Sequence, residues 1–525
     1  MIPEELTRGR ILFDYVVEQA QDQPNASIAI FNGTHVSYQD MVTQVRVYAN
    51  SLIASGMKPG DRLAHFGGPC PEFLVSFLAT GLAGGIWMGL NPKYSQRELA
   101  YVLKDAQPRF IEVASSAQDK DIENIKSLSA TMGIDFFITD AWQDENTQTM
   151  GYFLSQGATW SAADENKGFT WPELAARAPC MIVYTSGTTG HPKGALLPHQ
   201  SVCYSGEYDA KGYVKGVEGP IRVINNLPIN HVGCTVDICA PFIICGGTMV
   251  FMESFDTSEI LRVIEEERIS VLGAVPTMYQ MMIDDPLFSS CDFSSVKYIV
   301  WSGAAMSEPM LKFWKERGMV LDTGYGLTET IGGVTSCGFN DDITTLASTI
   351  GQPTDPDNFR LMDDNGELVT DTLTHGEIQV RGVLTMLEYY NNPQATQENF
   401  TPDGWMHTGD VAQWTDNGYL QLVGRTKEMF KSGGYNVYPR EIESVLERFP
   451  GVALSAVISV KDDLYGEVGH AFIVPMEELS ELAIKQWCKE QLANYKVPKS
   501  FSVSKTLPIL PIGKIDKKTL AKEFS

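Results

Sequence analysis

At 525 residues, 43% hydrophobic and 20% charged, the chain has the composition of a globular protein but is too long for one ordinary core, so about two to four domains are expected. A net charge of −25 excludes nonspecific nucleic-acid binding, which needs a basic footprint. It also requires that any anionic substrate be caught by locally placed Lys, Arg and N–H groups. Nine cysteines without a C-x-x-C pair, and eight histidines without zinc-like spacing, read as reduced thiols and dispersed histidines. The most apolar stretch, 238–251, is cut by Pro241, Gly246 and Gly247; it reads as buried strand and turn, with no stable membrane insertion. The first residues (Glu4, Glu5, Arg8, Arg10) precede no apolar h-region, and the final Lys522-Glu-Phe-Ser525 matches no common sorting tail, so a cytoplasmic location is expected.

In chain order, Ser27-Ile-Ala-Ile-Phe31 reads as a strand, Asn32-Gly33 as a tight turn and 39–54 as a helix. A strand over 61–66 and a helix over 73–82 follow, and 146–168, polar and aperiodic, reads as a surface loop or insertion. The run 180–184 is a short buried strand. Further strands are expected at 248–251, 271–274 and 297–301. This alternation predicts layered α/β structure with a mostly parallel sheet. Beyond Gly351 shorter β pieces appear at 359–362, 377–380 and 419–423. A small unit then begins, with a helix over 440–448, strands over 453–460 and 471–474, and a helix over 481–492. The division expected is a large body, 1–424, and a compact C-terminal domain, 425–525.

The stretch Tyr184-Thr-Ser-Gly-Thr-Thr-Gly-His-Pro-Lys-Gly194 carries the strongest chemical signal. Four hydroxyls alternate with glycines that let the backbone approach an anion, and Lys193 adds a charge. Successive turn N–H groups form the concavity that binds phosphates. The spacing differs from the common P-loop, because His191 and Pro192 precede the lysine. Further along, Tyr325-Gly-Leu-Thr-Glu-Thr330 follows a strand expected at 319–322. It offers a ring to stack on a base, a phosphate-binding hydroxyl at Thr328 and a metal-binding carboxylate at Glu329. In isolation the same residues fit an ordinary strand–turn–helix. Gly404-Trp-Met-His-Thr-Gly-Asp410 places an aspartate after a turn glycine, suited to two ribose hydroxyls or simply to the turn. The segment 424–443 packs cations and Gly433-Gly434 beside a helix start, and reads as a solvated hinge. Leu227-Pro-Ile-Asn-His-Val-Gly-Cys234 contains His231, and Pro508-Ile-Leu-Pro-Ile-Gly-Lys-Ile-Asp516 sets Lys514 after a Pro/Gly-rich bend.

The order of these motifs along nearly the whole chain, from Val36-Ser-Tyr38 through Asn91-Pro92 to Lys514, resembles the adenylate-forming superfamily. That group includes acyl-CoA synthetases, nonribosomal-peptide adenylation domains and beetle luciferases. The resemblance implies a large N-terminal body of layered α/β subdomains with a small mobile C-terminal α+β domain, hinged near 425–427. It implies an AMP-forming carboxylate–CoA ligase with ATP and CoA as cosubstrates and Mg²⁺ as cofactor. Thr185, Ser186, Gly187, Thr188, Thr189, Gly190 and Lys193 would hold the ATP phosphates. Glu329, with Thr188 or Thr328 nearby, would position the metal. Tyr325 and the backbone of Gly303, Ala304 and Ala305 would flank adenine, and Asp410 and Arg425 would bind ribose. Lys514 would bridge acyl carboxylate and α-phosphate, Lys427 would mark the hinge, and Lys431, Gly433 and Gly434 would face CoA. Asn230 stands where many relatives carry an aromatic residue. Glu388 replaces a usual glycine, so a local loop change is expected there.

The acyl pocket implied is His231, Val232, Cys234, Gly303, Ala304, Ile331, Gly332 and Gly333. It reads as apolar and small-lined, which favours a hydrophobic monocarboxylate: medium-chain fatty, aryl or alicyclic. No aspartate lies immediately beside Asn230-His231 to pair an amino-acid ammonium. A stand-alone adenylating enzyme that loads a carrier protein would be marked by a poor CoA tunnel, whereas Gly433-Gly434-Tyr435 reads as permissive; a luciferase-like oxidase would share every motif, and a nucleotide-binding pseudoenzyme is disfavoured by the intact Lys193, Glu329, Asp410, Arg425 and Lys514. Sequence leaves a homodimer open.

Overall fold

The computed structural model describes residues 9–132, 134, 136–139, 147–158, 174–175, 177–185, 192–213, 219–339, 342–476, 479–508 and 515–524. Two large sheets build the body. In the first, nine strands run in spatial order Gln352–Pro353, Gly332–Ser336, Val320–Leu327, Tyr298–Trp301, Val271–Ala274, Arg222–Asn225, Thr248–Phe251, Ser27–Phe31 and Thr34–Ser37. Those from Val320–Leu327 to Ser27–Phe31 are parallel. The second, of eight strands, runs Glu388–Tyr389, Lys193–Pro198, Pro179–Thr185, Ile86–Leu90, Arg62–Phe66, Phe110–Val113, Phe136–Ile138 and Thr147–Gln148. A four-stranded antiparallel sheet, Phe359–Met362, Gly376–Val380, Met406–Trp414 and Leu420–Arg425, completes the body.

The helix Pro71–Leu82 is buried at every position from Phe73 onward, as an all-round apolar helix must be. It lies between the two sheets. Phe73 meets Phe251 of the first sheet with ring centroids 5.6 Å apart and Trp87 of the second at 6.0 Å. One hydrophobic cluster runs through this layer, joining Val223, Met249 and Phe251 to Trp87, Met181 and Leu197. The layering fixes the two sheets against each other, so strand ends from both can build one site.

The small domain has its own core of Phe430, Val437, Ile442, Leu446, Val457, Ile473, Ile484 and Cys488. Strands Phe430–Ser432, Tyr435–Val437, Val452–Asp462, Gly466–Pro475 and Ser500–Val503 carry the helices Pro439–Glu447, Glu481–Gln491 and Lys517–Phe524. A separate core is what defines a separately folding unit.

Three expectations need correction. The segment 146–168, read as a loop, contains the strand Thr147–Gln148 and the helix Met150–Ala158. Phe153 is fully buried, its ring 5.0 Å from that of Tyr48, so one anchoring aromatic outweighs the polar surroundings. The segment 238–251 is not strand and turn throughout. A π-helix, Gly233–Cys239, leads into the short helix Ala240–Ile244, and only Thr248–Phe251 is strand. Pro241 falls within this continuous helical run, just past the π turns, where its missing N–H interrupts the ladder and the wider π turn is the local adjustment. At Glu388 there is no loop change: Glu388–Tyr389 is a short strand, with Glu388 opposite Leu196 and Tyr389 opposite Ala195. Among the described residues no helix is long and apolar enough to cross a membrane.

Candidate active site

The phosphate-loop motif begins at the end of one strand and resumes at the start of its antiparallel neighbour. Thr185 pairs with Lys193 and Tyr184 with Gly194. A Cβ at Gly194 would lie 2.8 Å from Ile182 and 3.1 Å from the Tyr184 ring, so only glycine permits this register. Ser186, Gly187, Thr188, Thr189 and Gly190 lie outside the described residues, as does Lys514.

The Tyr-Gly-Leu-Thr-Glu motif does not follow its strand but extends it. Val320–Leu327 runs through Tyr325 before a single 3₁₀ turn, Thr328–Thr330. Thr330 holds the turn, accepting from Leu327 N at 2.7 Å and donating to Gly332 O at 2.9 Å. Ile331 then adopts a left-handed backbone, φ +54, an uncommon conformation for a β-branched residue and one that concentrates at functional sites.

This turn brings Glu329 to the phosphate-loop strands. Its Oε1 accepts from Tyr389 Oη at 2.8 Å and from Thr185 Oγ1 at 3.4 Å. Lys193 Nζ lies 4.9 Å from the centre of the Tyr389 ring. Burial and the Glu329 charge raise the Tyr389 hydroxyl pKa, so it stays protonated and donates. Thr185, Lys193 and Glu329 are thus assembled as their motifs imply, with Tyr389 as a fourth member that sequence reasoning missed. The visible signal was the Tyr-Tyr pair directly after Glu388.

A second cluster forms where Met406–Trp414 pairs with Leu420–Arg425, setting Asp410 opposite Arg425. Asp410 is only 2% exposed. Its Oδ1 accepts from Arg425 Nε at 2.8 Å and its Oδ2 from Tyr325 Oη at 2.6 Å. Burial, then the Asp410 charge, raises the Tyr325 pKa well above its ordinary value. With its hydroxyl committed and the residue 9% exposed, Tyr325 acts here as a strut for Asp410, and its ring is largely covered as an adenine platform. Gly303, Ala304 and Ala305 are exposed just past the Tyr298–Trp301 strand, at the carboxyl end where α/β sheets bind ligands.

The residues expected to line an acyl pocket lie on three elements. His231 is exposed and its Nδ1 accepts from Gly233 N at 3.0 Å, which leaves the proton on Nε2 of the neutral ring. Val232, Cys234, Ile331 and Gly332 are buried, while Gly333 is exposed. Asp237 stands against Gly332, where a Cβ would meet its Oδ1 at 2.4 Å and Ser205 Oγ at 3.2 Å. Asp237 lies six residues beyond His231, farther than the positions beside Asn230-His231 that sequence reading weighed. Burial raises its pKa to about 6. Asn230 donates Nδ2 to Tyr94 Oη at 2.8 Å, so the amide that replaces an aromatic residue is tied to the neighbouring body.

Lys427 is exposed in the turn between the last strand of the body and the first of the small domain. Lys431, Gly433 and Gly434 lie on that domain's first hairpin, with φ +57 and +88 at the two glycines. Tyr435 beside them is 60% exposed and stacks on Tyr495 with centroids 4.5 Å apart. The hairpin is therefore a surface, and the two body clusters form without it.

For a metal, a carboxylate oriented by two hydroxyls beside a phosphate-binding strand pair fits Mg²⁺, which binds through one or two carboxylates together with substrate phosphates.

Comparison with known proteins agrees with this geometry. A family model described as AMP-binding enzyme matches residues 16–390, and one described as AMP-binding enzyme C-terminal domain matches 441–514. The chain is 32% identical to a feruloyl-CoA synthase of Amycolatopsis sp over 98% of its length and 100% of the relative. It is 31% identical to the long-chain-fatty-acid–CoA ligase FadD13 of Mycobacterium tuberculosis, over 97% of this chain and 95% of the other. The ATP-bound crystal structure of MatB from Rhodopseudomonas palustris superposes with a TM-score of 0.82 at 27% identity, covering 98% and 99% of the two chains.

Proposed function

The chain belongs to the AMP-binding enzyme family and is an AMP-forming acid–thiol ligase, and from that premise we propose that it activates a monocarboxylic acid with an apolar body, medium-chain fatty, aryl or alicyclic, and transfers it to CoA. The observation that carries this reading is the meeting of Thr185, Lys193 and Glu329 from two different sheets. A second cluster is the Asp410–Arg425 ion pair, in which Asp410 is 2% exposed.

In the first step an acyl carboxylate oxygen attacks the α-phosphorus of ATP, the bond to the bridging oxygen breaks, and pyrophosphate leaves with the electron pair. Two anions must approach, so positioning and electrostatic stabilisation dominate catalysis. Lys193 and the 185–190 loop hold the departing phosphates. Asp410 accepts from the ribose hydroxyls, while Arg425 and Tyr325 keep its carboxylate fixed. The 303–305 backbone lies along adenine. Glu329, with Thr185 or Thr328 beside it, holds Mg²⁺, which when bound neutralises phosphate charge. Lys514 bridges the acyl carboxylate and the α-phosphate.

In the second step the CoA sulfur attacks the acyl carbonyl, the carbon–oxygen bond to phosphate breaks, and AMP leaves as the anion while the thiol proton passes to solvent or base. The small domain, 425–525, swings about Lys427 between the steps. The swing withdraws Lys514 and presents Lys431, Gly433 and Gly434 to the thiol. His231 lies between the acyl pocket and the thiol entry. Such swings are hinge motions about short linkers and often limit turnover.

The test is AMP and pyrophosphate release from Mg-ATP across fatty, aryl and alicyclic acids, with and without CoA. Turnover that needs acid and CoA, with a mass-confirmed thioester, is the expected result. Pyrophosphate released once per enzyme, indifferent to CoA, would overturn the acceptor.

A further inference from the structure

An ion-pair node on the small domain lies outside every group the proposed reaction uses. Lys517 Nζ stands 2.8 Å from Glu428 Oε2 and 2.8 Å from Glu443 Oε1. The three residues belong to three segments. Glu428 sits in the turn that follows Arg425, its N–H bonded to Arg425 O at 3.1 Å, and comes directly after Lys427. Glu443 is on the helix Pro439–Glu447 and is 4% exposed. Lys517 opens the helix Lys517–Phe524, three positions after Lys514.

A lysine held between two carboxylates, one of them buried, differs from an exposed pair, which contributes little. Burial opposes the Lys517 charge, yet Glu443 and then Glu428 hold its pKa above the ordinary lysine value. The Glu443 end is itself fixed. Its Oε1 also accepts from Val457 N at 2.8 Å, in the strand Val452–Asp462, and Arg440 Nη1 lies 3.7 Å from its Oε2. Ahead of Lys517, Asp516 N donates to Pro508 O at 2.8 Å, and Asp516 caps the helix by accepting from Thr519 N at 3.1 Å and Thr519 Oγ1 at 2.7 Å. Leu507 and Leu520 pack with Ala456, Ile458 and Phe472. The chain therefore leaves and re-enters the domain at one fixed point on either side of Lys514. Lys517 joins that point to the hinge turn, 89 residues away in sequence.

We propose that Lys517 is a positioning residue for Lys514: its bridge to Glu428 and Glu443 fastens the segment that carries Lys514 to the far side of the hinge turn. The inference rests on the roles proposed above for Lys514 and Lys427. Rotation at Lys427 then carries the turn, the helix Pro439–Glu447 and the lysine segment as one body, and Lys514 arrives at the α-phosphate at a set depth. Without the bridge the segment keeps its apolar anchors and loses its tie to the turn. A misplacement of about 1 Å at a reacting group costs about a hundredfold in rate, so a loosened tie costs about tenfold.

The experiment times the two half-reactions separately, adenylate formation from Mg-ATP and octanoic, phenylpropanoic or cyclohexanecarboxylic acid, and thioester formation from the supplied adenylate and CoA. Lys517→Met should slow adenylate formation about tenfold, leave KM for ATP and acid unaltered, and change thioester formation less than about twofold. Glu428→Gln, at a side chain 40% exposed, should give the same split in weaker form. Lys517→Arg, whose guanidinium can span both carboxylates, should restore most of the rate. Adenylate formation unchanged in Lys517→Met, or both half-reactions falling in parallel as a weakened fold would produce, overturns the inference. Lys514→Ala run alongside separates it from the reading beneath. Adenylate formation that survives Lys514→Ala refutes the role of Lys514. Adenylate formation lost in Lys514→Ala but intact in Lys517→Met and Glu428→Gln refutes only the tether.

Discussion

Tyr389→Phe deletes one hydroxyl at the metal-side carboxylate and keeps the ring that lies 4.9 Å from Lys193 Nζ. In the structure Glu329 Oε1 receives Tyr389 Oη at 2.8 Å and Thr185 Oγ1 at a longer 3.4 Å. The tyrosine therefore makes the stronger of the two bonds that fix the carboxylate plane, and Glu329 so held would be the group to receive Mg²⁺. A hydrogen bond to a charged group contributes about 1.5–3 kcal/mol. If the orientation it imposes is needed in the transition state, kcat/KM for Mg-ATP falls about tenfold to a hundredfold. The assay is pyrophosphate release at fixed acid and CoA while Mg²⁺ and ATP are titrated. The half-saturating Mg²⁺ should rise, while KM for the acid, bound at the other end of the 3₁₀ turn, stays constant. Unchanged metal dependence in a variant that melts like the unaltered protein would falsify the positioning role. Tighter metal binding would refute it from the other side, by showing that the hydroxyl competes with the ion.

Asp410→Ala leaves the buried Tyr325 hydroxyl unpaired and removes the partner of Arg425, whose side chain is 49% exposed; a loss of about 1–3 kcal/mol in urea unfolding is expected, with a raised KM for ATP, and a neutral result in both contradicts the pairing. Lys514→Ala should abolish acyl-adenylate formation while sparing thioester formation from supplied adenylate; a parallel fall in both half-reactions places the lysine elsewhere. Lys427→Pro should do the converse, and normal overall turnover in it rules out a hinge at that residue. Burial lifts Asp237 from its ordinary 3.8 to about 6, so between those values the folded chain holds the proton more tightly and stability falls as pH rises, by about 3 kcal/mol. Asp237→Asn should therefore melt higher than the unaltered protein at pH about 7.5 and lose that advantage below about pH 4; a difference constant across this range removes the buried-carboxylate account.

Strands such as Ser27–Phe31 and Thr248–Phe251 were legible because an apolar run bounded by turn residues is itself the determinant of a buried strand. The helix Met150–Ala158 was not, because a single buried ring, Phe153, secures it among polar neighbours. The π-helix Gly233–Cys239 leaves no periodic mark, being too short for its i→i+5 bonding to register as a spacing. Thr185 and Glu329 are 144 residues apart, and no local pattern brings them together; the order of motifs in a resembling family did so. That resemblance supplies residues shared across the family and is silent about those particular to this chain. Asp237 lies outside the motifs that carried the resemblance, and was read over because it stands on the inner face of a helix whose register the sequence does not set. Tyr389 was passed over for a different reason, since attention fell on Glu388, the residue that departs from the pattern.

The join between the domains bears on the proposed swing. Arg425, the ribose-side cation, is the last residue of its strand, and the hinge turn begins at the next position, with Thr426 N bonded to Gly409 O at 2.9 Å and Met429 N to Arg425 O at 3.1 Å. Fixing Arg425 through Asp410 therefore also fixes the stationary end of the hinge. Across the join the packing is small: Tyr438 forms a cluster with Val411 and Val423 of the body, and a Cβ at Gly424 would meet the Tyr438 side chain at 2.9 Å. Asn436 adds a long 3.5 Å contact to Asp364. Among the described residues this contact, with the His375 ring also 6.1 Å from that of Tyr438, is far smaller than either domain's own core, and relative motion is the default for small inter-domain interfaces. One tyrosine leaving one glycine-lined seat is a modest barrier, whereas on the body side Asp410, 2% exposed, is held by both Arg425 Nε and Tyr325 Oη. On the proposed reading the mechanics divide at residue 425: Asp410 and Arg425, the proposed ribose groups, are held in the body, and the proposed Lys514, Gly433 and Gly434 would travel with the lightly attached small domain.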